Sequence, residues 1–219
     1  MTIPIIEIFN SLEGEGRRSG KLCTFIRTAG CNLRCSYCDT KYSFDIQNAP
    51  QLSVEEIFSR VQLLGCKMVT ITGGEPLLHE EVCNELIPLL LEEGYDVNIE
   101  TNGSIFINKV DRGLRSSLMF TIDWKCPSSG ANDKMLESNL LLARPCDVIK
   151  FVVGSKEDLI EMERIYRNYE TLAQFYVSPV FEQIPLQDIV QFLKDKKLYD
   201  ITMQIQIHKI IWDKNMRGV

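Results

Sequence analysis

Between residues 53 and 101 the sequence switches between a helical and a strand periodicity, and this alternation limits the fold more than any other feature. S-V-E-E, starting at Ser53, is a capping-box signature for a helix ending near Gly65. Lys67 to Thr72 (K-M-V-T-I-T) reads as a buried strand running into G-G-E-P, Gly73 to Pro76. A helix from Glu80 to Glu93, kinked at Pro88 and closed by Gly94, leads to a strand from Asp96 to Thr101. Strand, helix, strand in that order is a βαβ unit, whose two strands lie parallel.

The rest of the chain extends this pattern. Strands are expected at Ile3 to Phe9, Cys23 to Thr28, Leu118 to Asp123, Val148 to Val153, Phe175 to Ser178 and Ile201 to His208. Helices are expected from Ser155 to about Tyr169 and from Leu186 to about Lys197, where apolar residues recur at helical spacing. The intervals after Thr101 and after Lys125 are too short, or too polar, for a full crossover helix. A closed barrel of eight units takes about 250 residues, and this chain has 219. An α/β fold follows: an open, partial (β/α) barrel of about six or seven strands with reduced helices, expected to form a single domain over residues 1–219.

Functional groups in such folds gather at the C-terminal ends of the strands. Arg27, Thr72, Glu100 to Gly103 and Asp123 to Lys125 all stand there. Between the second strand and the first helix lies C-N-L-R-C-S-Y-C-D-T, Cys31 to Thr40, with three cysteines spaced CxxxCxxC. Thiolates in this pattern suit an iron-sulfur cluster. With no fourth cysteine at ligand spacing, one iron is left open for a small molecule. Zinc would want a fourth Cys or His, and the two histidines, His79 and His208, are remote in sequence and unpaired. His208, on an expected strand, reads as structural rather than as an acid or base.

Net charge is -6 without a basic run, which speaks against nucleic acid as substrate. No apolar stretch approaches the roughly 18 residues of a membrane span, and no signal-peptide pattern opens the chain. The expectation is a cytoplasmic protein whose remaining cysteines are reduced thiols.

The cysteine window, with Tyr37 as the aromatic residue before the last cysteine, resembles the radical S-adenosylmethionine (SAM) superfamily. Three further stretches, E-I-F-x-S-L-E-G-E-G, F-I-R-T-A-G-C and C-D-T, resemble the 7-carboxy-7-deazaguanine synthase family of the queuosine pathway, and so does the C-terminal tail. Glu13 stands where that family usually has glutamine. The resemblance implies a 4Fe-4S cluster on Cys31, Cys35 and Cys38, SAM, and Mg²⁺ held at Thr40. It implies substrate contacts at Leu12, Glu13, Gly14, Arg27, Thr72 and Val219, with Arg27 taking the substrate carboxylate. SAM contacts are implied at Tyr37 and Gly74, and at Asp123, Trp124, Lys125 and Ser178; Glu100 is a candidate for the SAM ribose or a structural carboxylate, and Asp39, beside Thr40, offers a further oxygen ligand to the Mg²⁺.

The implied reaction converts 6-carboxy-5,6,7,8-tetrahydropterin, a small-molecule pterin, to 7-carboxy-7-deazaguanine with loss of ammonia. A homodimer and an electron donor such as flavodoxin or ferredoxin come with the same resemblance. Two alternatives share part of the pattern: an activase of glycyl-radical enzymes, and a non-catalytic redox sensor built on the cluster.

Overall fold

The structure is a computed structural model and describes residues 1–111, 113, 115–213 and 216–219. Nine strands form one sheet: β1 (Thr2–Leu12), β2 (Leu22–Thr28), β3 (Gln51–Ser53), β4 (Met68–Gly73), β5 (Asp96–Thr101), β6 (Leu118–Lys125), β7 (Val148–Val153), β8 (Gln174–Pro179) and β9 (Thr202–Met203). Their spatial order is β3-β1-β2-β4-β5-β6-β7-β8-β9. β1 runs antiparallel to both neighbours, and every pair from β2 to β9 is parallel. β3 and β9 are free edges, so the barrel is open as expected. The short edge strand β3 has no counterpart among the expected strands.

The helices are α1 (Val54–Leu64), α2 (Ile87–Glu92), α3 (Glu137–Leu142), α4 (Lys156–Asn168), α5 (Leu186–Asp195) and α6 (His208–Ile211). Ser53 and Glu56 close the capping box of α1, and Gly65 ends it in the left-handed conformation at φ 74°. Pro88 leaves its mark one turn upstream. Residues Val82–Leu86 form a π-turn, and the Ile87 N–H reaches back to the Val82 carbonyl. A proline cannot donate to the carbonyl four residues earlier and its ring crowds that group, so a widened turn relieves the conflict. After Thr101 and Lys125 the crossovers are short 3₁₀ turns and the six-residue α3.

Strand pairing aligns side chains in rows across the sheet. Ile26, Ile71, Ile99 and Phe120 stand side by side in register, fully buried, toward the helices. The alternate positions form the inner face, and many are polar: Arg27 beside Thr72, Glu100 beside Thr121, and Asp123 beside Lys150. The apolar helix side holds the fold together; truncating Phe120 to alanine would cost about 3–5 kcal/mol.

One expected element does not form as a full strand. Ile201 to His208 pairs only over Thr202–Met203, and His208 begins α6. The chain leaves the edge because Gln204 turns inward and clasps Gly16. The Gly16 N–H donates to Gln204 Oε1 and Gln204 Nε2 donates to the Gly16 carbonyl, both at 2.8 Å. The loop after β1 thereby meets the far end of the sheet, which curls around it.

Candidate active site

A cavity of about 760 Å³ opens at the C-terminal ends of the parallel strands. Its floor is the inner face of the sheet, crossed by the loop Glu13 to Gly16, and the cysteine loop forms one wall. Cys31, Cys35 and Cys38 all line it, half-buried, in one short loop.

That loop is anchored at several points. The Ser36 N–H donates to the Ser129 carbonyl at 3.0 Å and Ser36 Oγ to the Ser128 carbonyl at 2.6 Å. Tyr37 OH donates to the Val152 carbonyl at 3.3 Å. Arg34 holds the carbonyls of Cys31 and Leu33, each at 2.7 Å, and stacks on Phe44. From behind, Gly74 packs so closely that a β-carbon there would lie 1.8 Å from the Gly30 carbonyl oxygen. Gly74 is thus required by the approach of the cysteine loop and Gly73 by that of β2, whose Thr28 carbonyl oxygen would lie 2.2 Å from a β-carbon there.

Burial pushes the Cys35 and Cys38 thiols above their ordinary value, and the charges of neighbouring cysteines add to it. A metal reverses this by taking the thiolate. Among the described residues no three His, Cys, Asp or Glu side chains converge as ligands of a single ion. Thiolates that each hold a different iron stand further apart than that, and the soft donor set, all on one cavity wall, fits an iron-sulfur cluster.

The floor carries buried charges. Lys150 Nζ lies 2.9 Å from Glu15 Oε2 and 3.1 Å from Asp123 Oδ1, and Lys125 Nζ lies 2.5 Å from Asp123 Oδ2. Burial alone would discharge both lysines, but Asp123, with Glu15 for Lys150, outweighs it and holds both above the ordinary lysine value. Asp123 would likewise be raised by burial, yet Lys125 and Lys150 hold it below the usual carboxylate range. Glu100 accepts from Thr72 Oγ1 at 2.7 Å and is pushed up by burial. Glu15 Oε1 is buried without a hydrogen-bond partner.

Glu13 is 2 % exposed. Its Oε2 accepts from Thr70 Oγ1 at 2.6 Å and from the Cys23 thiol at 3.7 Å. Burial first, and then the Glu100 charge, raise it to about 8. At neutral pH it is therefore mostly a neutral acid, with one donor and one acceptor, as a glutamine side-chain carbonyl and amide would be. Glu75 of G-G-E-P is fully buried and raised by desolvation to about 7, although the N–H groups of Asn102 and Leu77 and the Thr101 hydroxyl all donate to it.

On the opposite wall Arg27 Nε donates to Glu7 Oε1 at 2.7 Å, which leaves its two terminal nitrogens without a hydrogen bond to the described residues. Tyr42 OH donates to the same carboxylate at 3.2 Å, and Arg217 lies 3.8 Å over the Tyr42 ring, docking the tail. Thr40 Oγ1 donates to Asp39 Oδ1 at 2.8 Å, and Lys209 Nζ donates to Asp39 Oδ2 at 2.9 Å. Burial would raise Asp39, but the Lys209 charge and these hydrogen bonds hold it down to about 2.

The cavity brings together Leu12, Glu13, Gly14, Arg27, Thr72 and Val219. It also brings Tyr37, Asp39, Thr40, Gly74, Glu100, Asp123 and Lys125 to the same space. Two expected contacts stand elsewhere. The Trp124 side chain lies on the helix side of β6 and donates from Nε1 to Glu161 of α4 at 3.2 Å. Ser178 is fully buried on β8 with its hydroxyl unpartnered, outside the cavity wall, which Val180 and Phe181 reach instead.

Sequence reasoning missed Glu7, Glu15 and Lys150. Strand alternation carried a signal for Lys150, since a lysine between Ile149 and Phe151 must face opposite to them. His208, read as structural, also lines the cavity, and a β-carbon on Gly14 would lie 2.6 Å from its Nδ1. Burial lowers its proton affinity, with Glu15 opposing.

Comparison with known proteins bears on the family and the fold. The family model of the Radical SAM superfamily matches residues 25–121. A 7-carboxy-7-deazaguanine synthase of Clostridium acetobutylicum is 45% identical over 222 residues, spanning 100% of both chains. One of Methanospirillum hungatei is 40% identical over 208 residues, 94% of this chain and 84% of that protein. The crystal structure of QueE from Escherichia coli superposes with a TM-score of 0.72 at 23% identity, covering 94% of each chain, and shares the fold.

Proposed function

The chain belongs to the 7-carboxy-7-deazaguanine synthase family within the radical SAM superfamily, and on that premise we propose that its cavity takes 6-carboxy-5,6,7,8-tetrahydropterin and yields 7-carboxy-7-deazaguanine with loss of ammonia. The observation that carries this reading is the convergence of three thiols, an arginine and a buried acidic floor on one cavity at the strand ends. When bound, the cluster and SAM would supply radical chemistry, the abstraction of a hydrogen atom from the substrate, which no side chain of the protein can provide.

The protein's part is to bind, orient and exclude water. Cys31, Cys35 and Cys38 would hold the cluster, and Gly74 would offer its backbone to SAM. Asp123 and Lys125, paired at 2.5 Å, present fixed charge to SAM's polar groups. Arg27, braced by Glu7, forks onto the substrate carboxylate through its terminal nitrogens. The pterin's amino-pyrimidine edge is rich in N–H donors, and Glu15 and Glu100 supply acceptors on the floor. Neutral Glu13 fills the place of the usual glutamine without adding charge.

Thr40 would hold Mg²⁺ through its hydroxyl, a hard oxygen ligand of the kind this ion favours. Lys209 already occupies Asp39, so Asp39 acts chiefly by orienting the Thr40 hydroxyl. A homodimer and reduction by flavodoxin or ferredoxin are supported by the family resemblance. A cytoplasmic location is supported by the eight cysteines, all free. Among the described residues no helix is long and apolar enough to cross a membrane.

The test is anaerobic. Reconstituted protein with dithionite, SAM, Mg²⁺ and 6-carboxytetrahydropterin should give 7-carboxy-7-deazaguanine by mass spectrometry, and none without SAM. SAM cleavage to 5′-deoxyadenosine without product would move the reading to another substrate. An intact cluster with neither outcome would favour the redox sensor.

A further inference from the structure

Asn102, just after β5, is buried and its side-chain amide has one possible orientation. Asn102 Oδ1 accepts from the Ser104 N–H at 2.9 Å and from Ser104 Oγ at 2.6 Å. A backbone N–H can only donate, so the atom facing it must be the amide oxygen, and the nitrogen points the other way. There Asn102 Nδ2 lies 3.0 Å from Asn32 Oδ1 and 3.6 Å from Cys31 Sγ, one hydrogen for each acceptor. The Leu33 N–H adds a second donor to the same sulfur at 3.4 Å.

The amide is held from behind as well. Glu75 Oε2 accepts the Asn102 N–H at 2.6 Å, while Glu75 Oε1 takes the Leu77 N–H at 3.0 Å and Thr101 Oγ1 at 2.8 Å. One buried carboxyl thus locks the G-G-E-P loop and the E-T-N-G loop together behind Cys31.

Hydrogen bonds to a ligating sulfur draw electron density from it and favour the reduced, more negative cluster, which raises its reduction potential. We propose that Asn102 tunes the reduction potential of the cluster by donating its side-chain N–H to Cys31 Sγ, with Glu75 holding it in place. The inference rests on the assignment of Cys31, Cys35 and Cys38 as cluster ligands.

The experiment compares reconstituted wild-type protein with Asn102→Leu and Asn102→Asp. Iron and sulfide content report cluster assembly, and an EPR-monitored redox titration reports the potential. At the poise where the wild-type cluster is half reduced, Asn102→Leu should lose about tenfold in the ratio of reduced to oxidised cluster, a shift of about 59 mV for a one-electron couple. Asn102→Asp keeps an acceptor for Ser104 but sets a carboxylate against the sulfur, and should fall further. Unchanged potentials in variants with full clusters would overturn the proposal. So would failure of both variants to assemble a cluster, which would make Asn102 a structural residue. A wild-type protein that assembles no four-iron cluster would remove the ligand assignment itself, a result distinct from either.

Discussion

Thr70 donates its hydroxyl hydrogen to Glu13 at 2.6 Å, so this buried carboxyl is seated by the strand beneath it. Glu13 is raised to about 8 in the folded protein, against 4.5 for an unhindered glutamate. The folded state then binds more protons than the unfolded state between those values, so the stability contributed by neutral Glu13 is present below about pH 4.5 and is lost as pH rises toward 8. Glu13→Gln should flatten this slope, a change on the order of 4 kcal/mol at pH 8. Urea midpoints measured from pH 5 to 8 for both proteins check it; parallel curves would show that Glu13 does not titrate in this window.

Lys150 is the keystone of the charged floor. Replacing it with methionine leaves Glu15 and Asp123 buried without their shared cation, which should cost about 3–5 kcal/mol. Denaturant titration would show a lower midpoint at unchanged slope, and a loss below 1 kcal/mol would mean that water reaches the floor freely.

Arg27→Ala should raise the substrate KM by about 30- to 100-fold, the worth of a charge-assisted fork. Cluster content and uncoupled SAM cleavage should stay as they are, since neither depends on this wall. Arg27→Lys should recover little of the loss, because a single ammonium cannot make two parallel bonds. Steady-state kinetics with anaerobic product quantitation decides between these outcomes.

Thr40→Val removes a hydroxyl while keeping its shape. The Mg²⁺ concentration for half-maximal turnover should rise about tenfold, the worth of one good ligand contact. A Mg²⁺ titration at saturating pterin that gave identical curves for both proteins would place the ion elsewhere.

Much of this architecture was legible in the sequence because its signals are local. The capping box at Ser53, the glycine stop at Gly65 and the run from Asp96 to Thr101 each depend on neighbours a few residues away, and the helix and strand they define formed where expected. Ile201 to His208 misled because I-Q-I-H alternates as a strand does, while the deciding contact, Gln204 with Gly16, is 188 residues distant. The site was readable by motif at Arg27, Asp123 and the cysteines. Trp124 was grouped with its neighbours by motif, although a strand that turns Asp123 and Lys125 inward must turn the residue between them outward. Glu15 and Lys150 escaped because their pairing spans 135 residues, and no short motif announces an ion pair of that reach.

The clasp between Gly16 and Gln204 also orders events in time. A ribosome releases the three cysteines well before Gln204 is added. At ordinary synthesis rates the interval is roughly ten to thirty seconds. Until the last strand arrives, the loop after β1 has no far edge to meet, and the thiols stand at the rim of an unfinished wall. The site is thus assembled across the length of the chain, the loop made early being held in place by a residue made 188 positions later.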